Sequence, residues 1–534
     1  MRLLGMRLFG VAGVGVAIAF SVVTACSLGL DESLIPAEGE GDANEEDTFV
    51  SPDASDAGDA EPDAVADGGG ACTKDQDCNA TDKCFLTAGR CDVARGSCVY
   101  DVCKPPGSTC QASECNADTH TCNPAIAYSY QAASFTVDYE IGCGGTASSA
   151  SKCFAAVYPF IFVGTANGVL AYPARNPVSP APASVAVTGL GFQPIQIMAS
   201  GNRVFFLGKP YSPITAGGPP LVPIAWLDVS TDPFAKELVA HTVYANWNLP
   251  AGYTGKNATI YARGNSTVLL VDSTPPAANS TEGYPSVVID PTLGVPLDLT
   301  ATNITFTTAG VSPQIMSGTR LLMHSIGTTA LATATNAYFE VIDEADSTHP
   351  ISVGSAKVSL PPVVVGVTPV VPVLVPSQQV FAASSDGAIF WSGAASTGTL
   401  QTSANLVFGS FVVDNAMANF DENAQGFTTQ TYSALITLST TNTVVGPVAM
   451  LDSETAFVTT GGTNGTVGAT TITQTNVQVV KKAPLVVARQ DVLPAVVPTQ
   501  VGVAASNGLG YVLTTPSAPA TTPLTVYVYD PNCP

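Results

Sequence analysis

The chain has 534 residues, with 42 Asp and Glu against 19 Lys and Arg and a formal net charge of −23. That balance lacks the basic footprint a nucleic-acid ligand needs, so no nucleic-acid partner is expected. Its 48 glycines and 40 prolines interrupt every apolar run and exclude a helical bundle.

The first element is an export signal over residues 1–25. Arg2 and Arg7 flank the start of an apolar run, and Val23-Thr24-Ala25 leads into Cys26. A basic start, an apolar centre and small residues before a cysteine are processing signals rather than part of a fold. Leu8 to Val23 is 16 residues, short for a bilayer span of roughly 20. An uncleaved single-pass anchor and ordinary secretion with a free Cys26 thiol are the competing readings. The stretch resembles a bacterial lipobox. That resemblance implies cleavage before Cys26, a diacylglycerol on its sulfur, and a membrane held through lipid, stably once two or three acyl chains are present. Ser27 in place of Asp implies, by the same resemblance, the outer membrane of the cell envelope, facing periplasm or cell surface.

Residues 26–70 form an acidic tether. Between Ser27 and Gly70 lie 14 Asp and Glu and no Lys or Arg, more than half of the net charge. Such a segment buries too little apolar surface to offset chain entropy, and its like charges keep it extended. Scattered carboxylates on such a chain hold calcium weakly, so a spacer is the preferred reading.

Residues 71–124 carry nine cysteines: Cys72, Cys78, Cys84, Cys91, Cys98, Cys103, Cys110, Cys115 and Cys122. From Cys91 onward they alternate spacings of six and four intervening residues, a period of 12. Zinc modules favour C-x2-C pairs or His clusters, and here the only histidine is His120, so disulfides are expected. Few large apolar residues are present, and crosslinks must stand in for a core. With Cys143, Cys153 and Cys533 the count becomes twelve. Full oxidation then sends one bond out of the cluster, either to Cys533 with Cys143–Cys153 local, or to Cys143 or Cys153 with Cys533 taking the other. Asp75-x-Asp77-x-Asn79 begins like a calcium loop, but Ala80 and Leu86 occupy the positions that need Gly and Glu. The segment resembles short cysteine-rich repeats of bacterial surface lipoproteins.

Residues 125–534 read as all-β. A unit recurs: strand, glycine turn, apolar strand, loop, strand ending in Asp. Examples are Ile197–Leu207 with Ile224–Asp228, Ile260–Val271 with Val287–Asp290, Ile315–Met323 with Tyr338–Asp343, and Val503–Leu513 with Val526–Asp530. Tyr158–Tyr172 reads as the first copy, with weaker copies at Val380–Trp391 and Ala456–Val480. Gly201, Gly264, Gly318 and Gly387 are 63, 54 and 69 residues apart, and 121 more lead to Gly508. A four-stranded blade takes roughly 40–50 residues, more with insertions, so a seven-bladed β-propeller is expected. It resembles quinoprotein-like and other extracellular propellers, and tandem β-sandwiches are the alternative.

No G-x-S-x-G, H-E-x-x-H or P-loop motif is present. His241, His324 and His349 are dispersed. A carboxylate-binding cluster would have to come from Arg175, Arg203, Arg263, Arg320 and Arg489, but Arg203 and Arg320 share a repeat position after the glycine turn, so a structural role is expected for those two. Glu340, Asp343, Glu344 and Asp346 are the best carboxylate group for acid–base or metal chemistry, although Asp343 matches the repeat aspartates. Trp226, Trp247 and Trp391 are too few to furnish a platform in every blade. No catalytic residue, cofactor or metal site is therefore assigned. The expected function is a non-catalytic, lipid-anchored envelope protein presenting a propeller to a surface protein or glycan, or serving envelope structure. The alternative is an extracellular hydrolase or lyase with its site on blade loops.

Overall fold

The computed structural model describes residues 72–534 with interruptions, the longest over 413–433; Cys26, the signal segment and the tether lie outside the described residues. Among the described residues no helix is long and apolar enough to cross a membrane.

The chain folds as an all-β propeller. Seven sheets of four or five strands follow one another, mostly as antiparallel meanders. Their first strands are Phe154–Val157, Pro194–Ser200, Ala258–Arg263, Ser312–Ser317, Val373–Ala383, Val444–Met450 and Val501–Ser506, and we number the sheets 1 to 7 in that order. Six sheets have side chains described on every strand. In sheet 5 the outer strands, Ala404–Val412 and Ala434–Ile436, are described by backbone pairing alone.

Apolar residues on both faces of each sheet explain the arrangement. Val204, Phe206, Ala225 and Leu227 of sheet 2 pack on Phe160, Phe162 and Ala171 of sheet 1, whereas Phe205, Leu207 and Ile224 meet Ile260, Val268 and Leu270 of sheet 3. Alternate residues along one strand therefore serve two different neighbours, as the two-residue strand period requires. The last sheet meets the first through Tyr511, Leu513 and Val526 against Phe154, Ile161 and Val163, which closes the ring.

Closure is also covalent and topological. The outermost strand of sheet 7 is Gln131–Val137, from the N-terminal side of the domain, paired antiparallel with Leu524–Tyr529. Tyr130 N donates to the Pro534 carbonyl at 2.8 Å, and the Tyr128 hydroxyl donates to Asp530 at 2.9 Å. Cys110 bonds to Cys533, across 423 residues, and Cys143 bonds to Cys153. In the cysteine-rich segment Cys72 pairs with Cys91, Cys78 with Cys98 and Cys103 with Cys122. Cys91 faces Cys98 and Cys115 faces Cys122 across short antiparallel pairs. The six-residue spacing is thus a hairpin, and in the first hairpin each facing cysteine bonds elsewhere. Asp75 and Asp77, the first carboxylates of the apparent calcium loop, instead accept the backbone N–H groups of Cys91, Thr73 and Lys74.

Sheets 1 and 2 gain a fifth, parallel strand. Leu238–Val239 and Asp298–Thr300, each from the connection before the last strand of the following sheet, add to the outer edge of the sheet before. Edges that would otherwise template aggregation are covered.

The glycine turns interlock. Gly201 has φ +57°, and a Cβ there would overlap the Asn265 carbonyl of the next turn, whereas Gly264 at φ +60° has open space around it. Gly201→Ala is expected to cost about 3 kcal/mol, from left-handed strain plus a backbone clash, and Gly264→Ala about 1 kcal/mol from strain alone. Urea midpoints of the two variants measure the difference.

The central channel and the dispersed polar residues

All seven first strands stand at the inner edge of their sheets, and those of sheets 1, 2, 4, 5, 6 and 7 line a central cavity of about 730 Å³. Its walls are apolar: Phe154, Ile197, Met198, Val380, Phe381 and Val448, with small residues such as Ala199 and Ala505 between them. The polar side chains in the lining are Ser151, Lys152 and Gln314, and among these described residues there is no carboxylate, histidine or arginine. Lys152 ends a short 3-10 helix, Ala147–Lys152, seated at the N-terminal ends of the inner strands, where a Cβ on Gly502 would come 2.6 Å from the Ala150 carbonyl. The lysine is exposed and makes no hydrogen bond or ion pair among the described residues.

The polar residues singled out in the sequence sit elsewhere. Arg203 pairs with Asp228, and Arg320 with Asp343 at 3.1 Å, both at the glycine-turn ends of their sheets. Arg263 donates from Nη2 to the Glu344 carbonyl at 2.6 Å, joining the turns of sheets 3 and 4. Arg203 also donates to the Ser266 carbonyl at 3.2 Å, so Arg203 and Arg263 tie turn to turn, whereas Arg320 and Asp343 join two strands of one sheet. Arg489 lies exposed on the outer strand of sheet 6, and Arg175 is outside the described residues. The repeat aspartates Asp290, Asp343 and Asp530 accept the backbone N–H two residues on, the geometry of an Asx turn.

The four carboxylates do not converge. Glu340 is fully buried and accepts from Thr307 N, Thr308 N and the Ser352 hydroxyl, pinning the connection between sheets 3 and 4. Asp346 is exposed and bonded to Thr348 and His349. Glu344 is buried, its two carboxyl oxygens have no hydrogen-bond partner, and burial raises its pKa from 4.5 to about 7, against the pull of Arg263. The folded chain thus binds more protons at this site than the unfolded chain between pH 4.5 and 7. Stability should therefore fall as pH rises through that window, by about 3 kcal/mol in total. Glu344→Gln should flatten this part of a denaturation-midpoint profile measured from pH 4 to 8.

The histidines are also separate. His324 lies between sheets 4 and 5, with ring centroids 4.9 Å from Phe339 and 5.0 Å from Phe381, and burial lowers its pKa to about 3. It is a neutral core residue. His241 stacks on Trp226, and His349 is an exposed partner of Asp346. Trp247 and Trp391 are fully buried. Sequence reasoning did not single out Lys152 or Gln314, because the lining of the channel becomes visible only when the inner strands are brought together.

No family model matches the chain, and no curated protein matches it. Solved structures similar to it include an alpha-L-arabinanase of Penicillium chrysogenum complexed with arabinobiose, 13% identical, covering 63% of this chain and 92% of that one, with a TM-score of 0.32. A Trypanosoma rangeli sialidase is 9% identical over 74% of this chain and 59% of that one, with a TM-score of 0.32. The polysaccharide lyase Uly1 is 9% identical over 74% of this chain and 100% of that one, with a TM-score of 0.29.

Proposed function

We propose that the chain is a lipid-anchored cell-envelope protein that holds a β-propeller clear of the membrane and binds a ligand in the central channel without transforming it. The observation that carries this reading is the lining of the channel. General acid–base or nucleophilic chemistry needs titratable groups within hydrogen-bond reach of a reacting atom. The described lining supplies one lysine among apolar walls. The carboxylates and histidines that could do such work are turned to turns, sheet interfaces and the outer surface. A cavity of several hundred cubic ångströms with apolar walls and a few polar groups is the usual form of a binding site. The envelope half of the proposal stands on the lipobox-like Val23–Cys26, the acidic tether and the disulfides of an oxidising compartment.

Two measurements test it. Mass spectrometry of the N-terminal tryptic peptide from native membranes should find it beginning at Cys26 with acyl mass. Incubation with a panel of glycans and glycosides should give no product. Turnover, abolished by substituting a loop carboxylate, would replace the proposal with the hydrolase or lyase reading. An unmodified N-terminus with the protein in the medium would remove the anchor.

A further inference from the structure

The inner strand of each sheet pairs on one side only, with its second strand, so its other backbone edge is turned toward the centre of the ring. Unpaired backbone N–H and C=O groups call for partners. In sheet 3 the partner is visible. The side-chain amide of Gln196, from sheet 2, accepts from Ile260 N at 2.9 Å and donates to the Ile260 carbonyl at 2.8 Å. One amide group thus satisfies both backbone groups of a residue, as a neighbouring peptide would. Sheet 3 is also the one sheet whose inner strand contributes nothing to the cavity lining.

Sheet 4 repeats the Gln-Ile-Met run as Gln314-Ile315-Met316, but there the amide behaves differently. Gln314 donates from Nε2 to Ser312, 2.7 Å from its hydroxyl and 3.2 Å from its carbonyl, and its side chain lines the cavity. The edge bridged by an amide is therefore closed, whereas the edges along the cavity remain beside open space.

We propose that the channel binds an extended peptide with small apolar side chains and a carboxylate, the peptide's amide groups pairing with the inner-strand edges and its carboxylate meeting Lys152. The proposal rests on the channel being a binding site, and adds the ligand class. Alanine and valine side chains in the walls leave room for small apolar groups and offer nothing to a sugar's hydroxyls. A pure hydrocarbon chain would leave the backbone edges without partners, at a desolvation cost for each. A peptide supplies both kinds of contact, as in other recognition by strand edges. Lys152, the one charge in the described lining, selects for an anion at that mouth. A chain end and an acidic side chain provide the same chemistry.

The test uses the full-length protein and isothermal calorimetry. The probes are acetyl-Ala-Val-Ala-Val-Ala as free acid, the same peptide as C-terminal amide, and the amide with Asp replacing its first Ala. Dodecanoate and a neutral trisaccharide serve as competitors. The free acid or the Asp peptide should bind about tenfold more tightly than the plain amide, and which of the two does so identifies the source of the carboxylate. Lys152→Gln, at an exposed position, should erase that difference, and Ala505→Phe should abolish binding by filling the channel. Neither carboxylate peptide binding more tightly than the plain amide, or binding unmoved by Ala505→Phe in a variant of unchanged thermal midpoint, would overturn the proposal. Dodecanoate or the trisaccharide binding in place of every peptide would overturn the ligand class alone and leave the channel a binding site. Product formation from a glycan would instead sink the non-catalytic reading beneath it.

Discussion

Replacing Cys110 and Cys533 together by serine should lower the unfolding free energy by about 5 kcal/mol, the upper end for a single disulfide. The bond joins the segment before the ring to the residue next to last in the chain, across 423 residues, and the entropy removed from the unfolded ensemble grows with the closed length. It also clamps a seam. Gln131–Val137 must find Leu524–Tyr529 from the opposite end of the domain, and the disulfide holds the two ends together throughout. The double variant should therefore lose cooperativity as well as stability, with sheet 7 opening before the rest. Hydrogen exchange followed by mass spectrometry reads this directly. Early exchange should appear in 131–137 and 524–529 of the variant and not in sheet 3. Uniform destabilisation of all sheets would show that hydrogen bonds and packing alone hold the seam.

Glu340→Ala should cost about 4 kcal/mol, and Glu340→Gln about half of that. The carboxylate is fully buried and collects two backbone N–H groups from one connection and a hydroxyl from a strand some forty residues further on. Alanine leaves those donors buried without an acceptor, whereas glutamine keeps one carbonyl oxygen among them. The comparison also separates architecture from chemistry. A residue of this kind, found in sequence beside Asp343, Glu344 and Asp346, looks like part of an acidic catalytic cluster. If its role is to pin the connection at Thr307 and Thr308, denaturant midpoints should shift in the ratio given and channel binding should be unchanged in the glutamine variant.

The sequence reveals the class of fold because its signals are local. Strand–glycine–strand units at Gly201, Gly264 and Gly318 need φ values of +57°, +60° and +55°, and glycine takes these without strain. Their spacing follows the sheets. The parity of the cysteines likewise narrows the bonding, because an odd cluster must reach outside itself. What is not legible is non-local. Gln131–Val137 reads as one more strand, and nothing near it says that its partner is Leu524–Tyr529. The fifth strands of sheets 1 and 2 are two- and three-residue segments, too short to carry a period. Glu340 and Glu344 are four residues apart and equally acidic in sequence. One is saturated with donors and the other has none, because their neighbours come from different turns and connections. The channel is least legible of all. Its walls are drawn from six sheets, most of them contributing one to four ordinary alanines or valines, and sheet 4 only Gln314.

The closing strand also sets a schedule. A chain made or threaded from its N-terminus delivers Gln131–Val137 nearly four hundred residues before Leu524–Tyr529. At synthesis rates of about 5–20 residues per second, that strand waits roughly 20–80 s with its pairing edge unclaimed. Six sheets can be built in that interval from adjacent sequence, but the seventh cannot. The last step of maturation is therefore a meeting of the two ends, and only a chain that has arrived whole can make it. A prematurely ended product would retain an open strand edge, which marks it physically as incomplete for any protease or chaperone that recognises such edges.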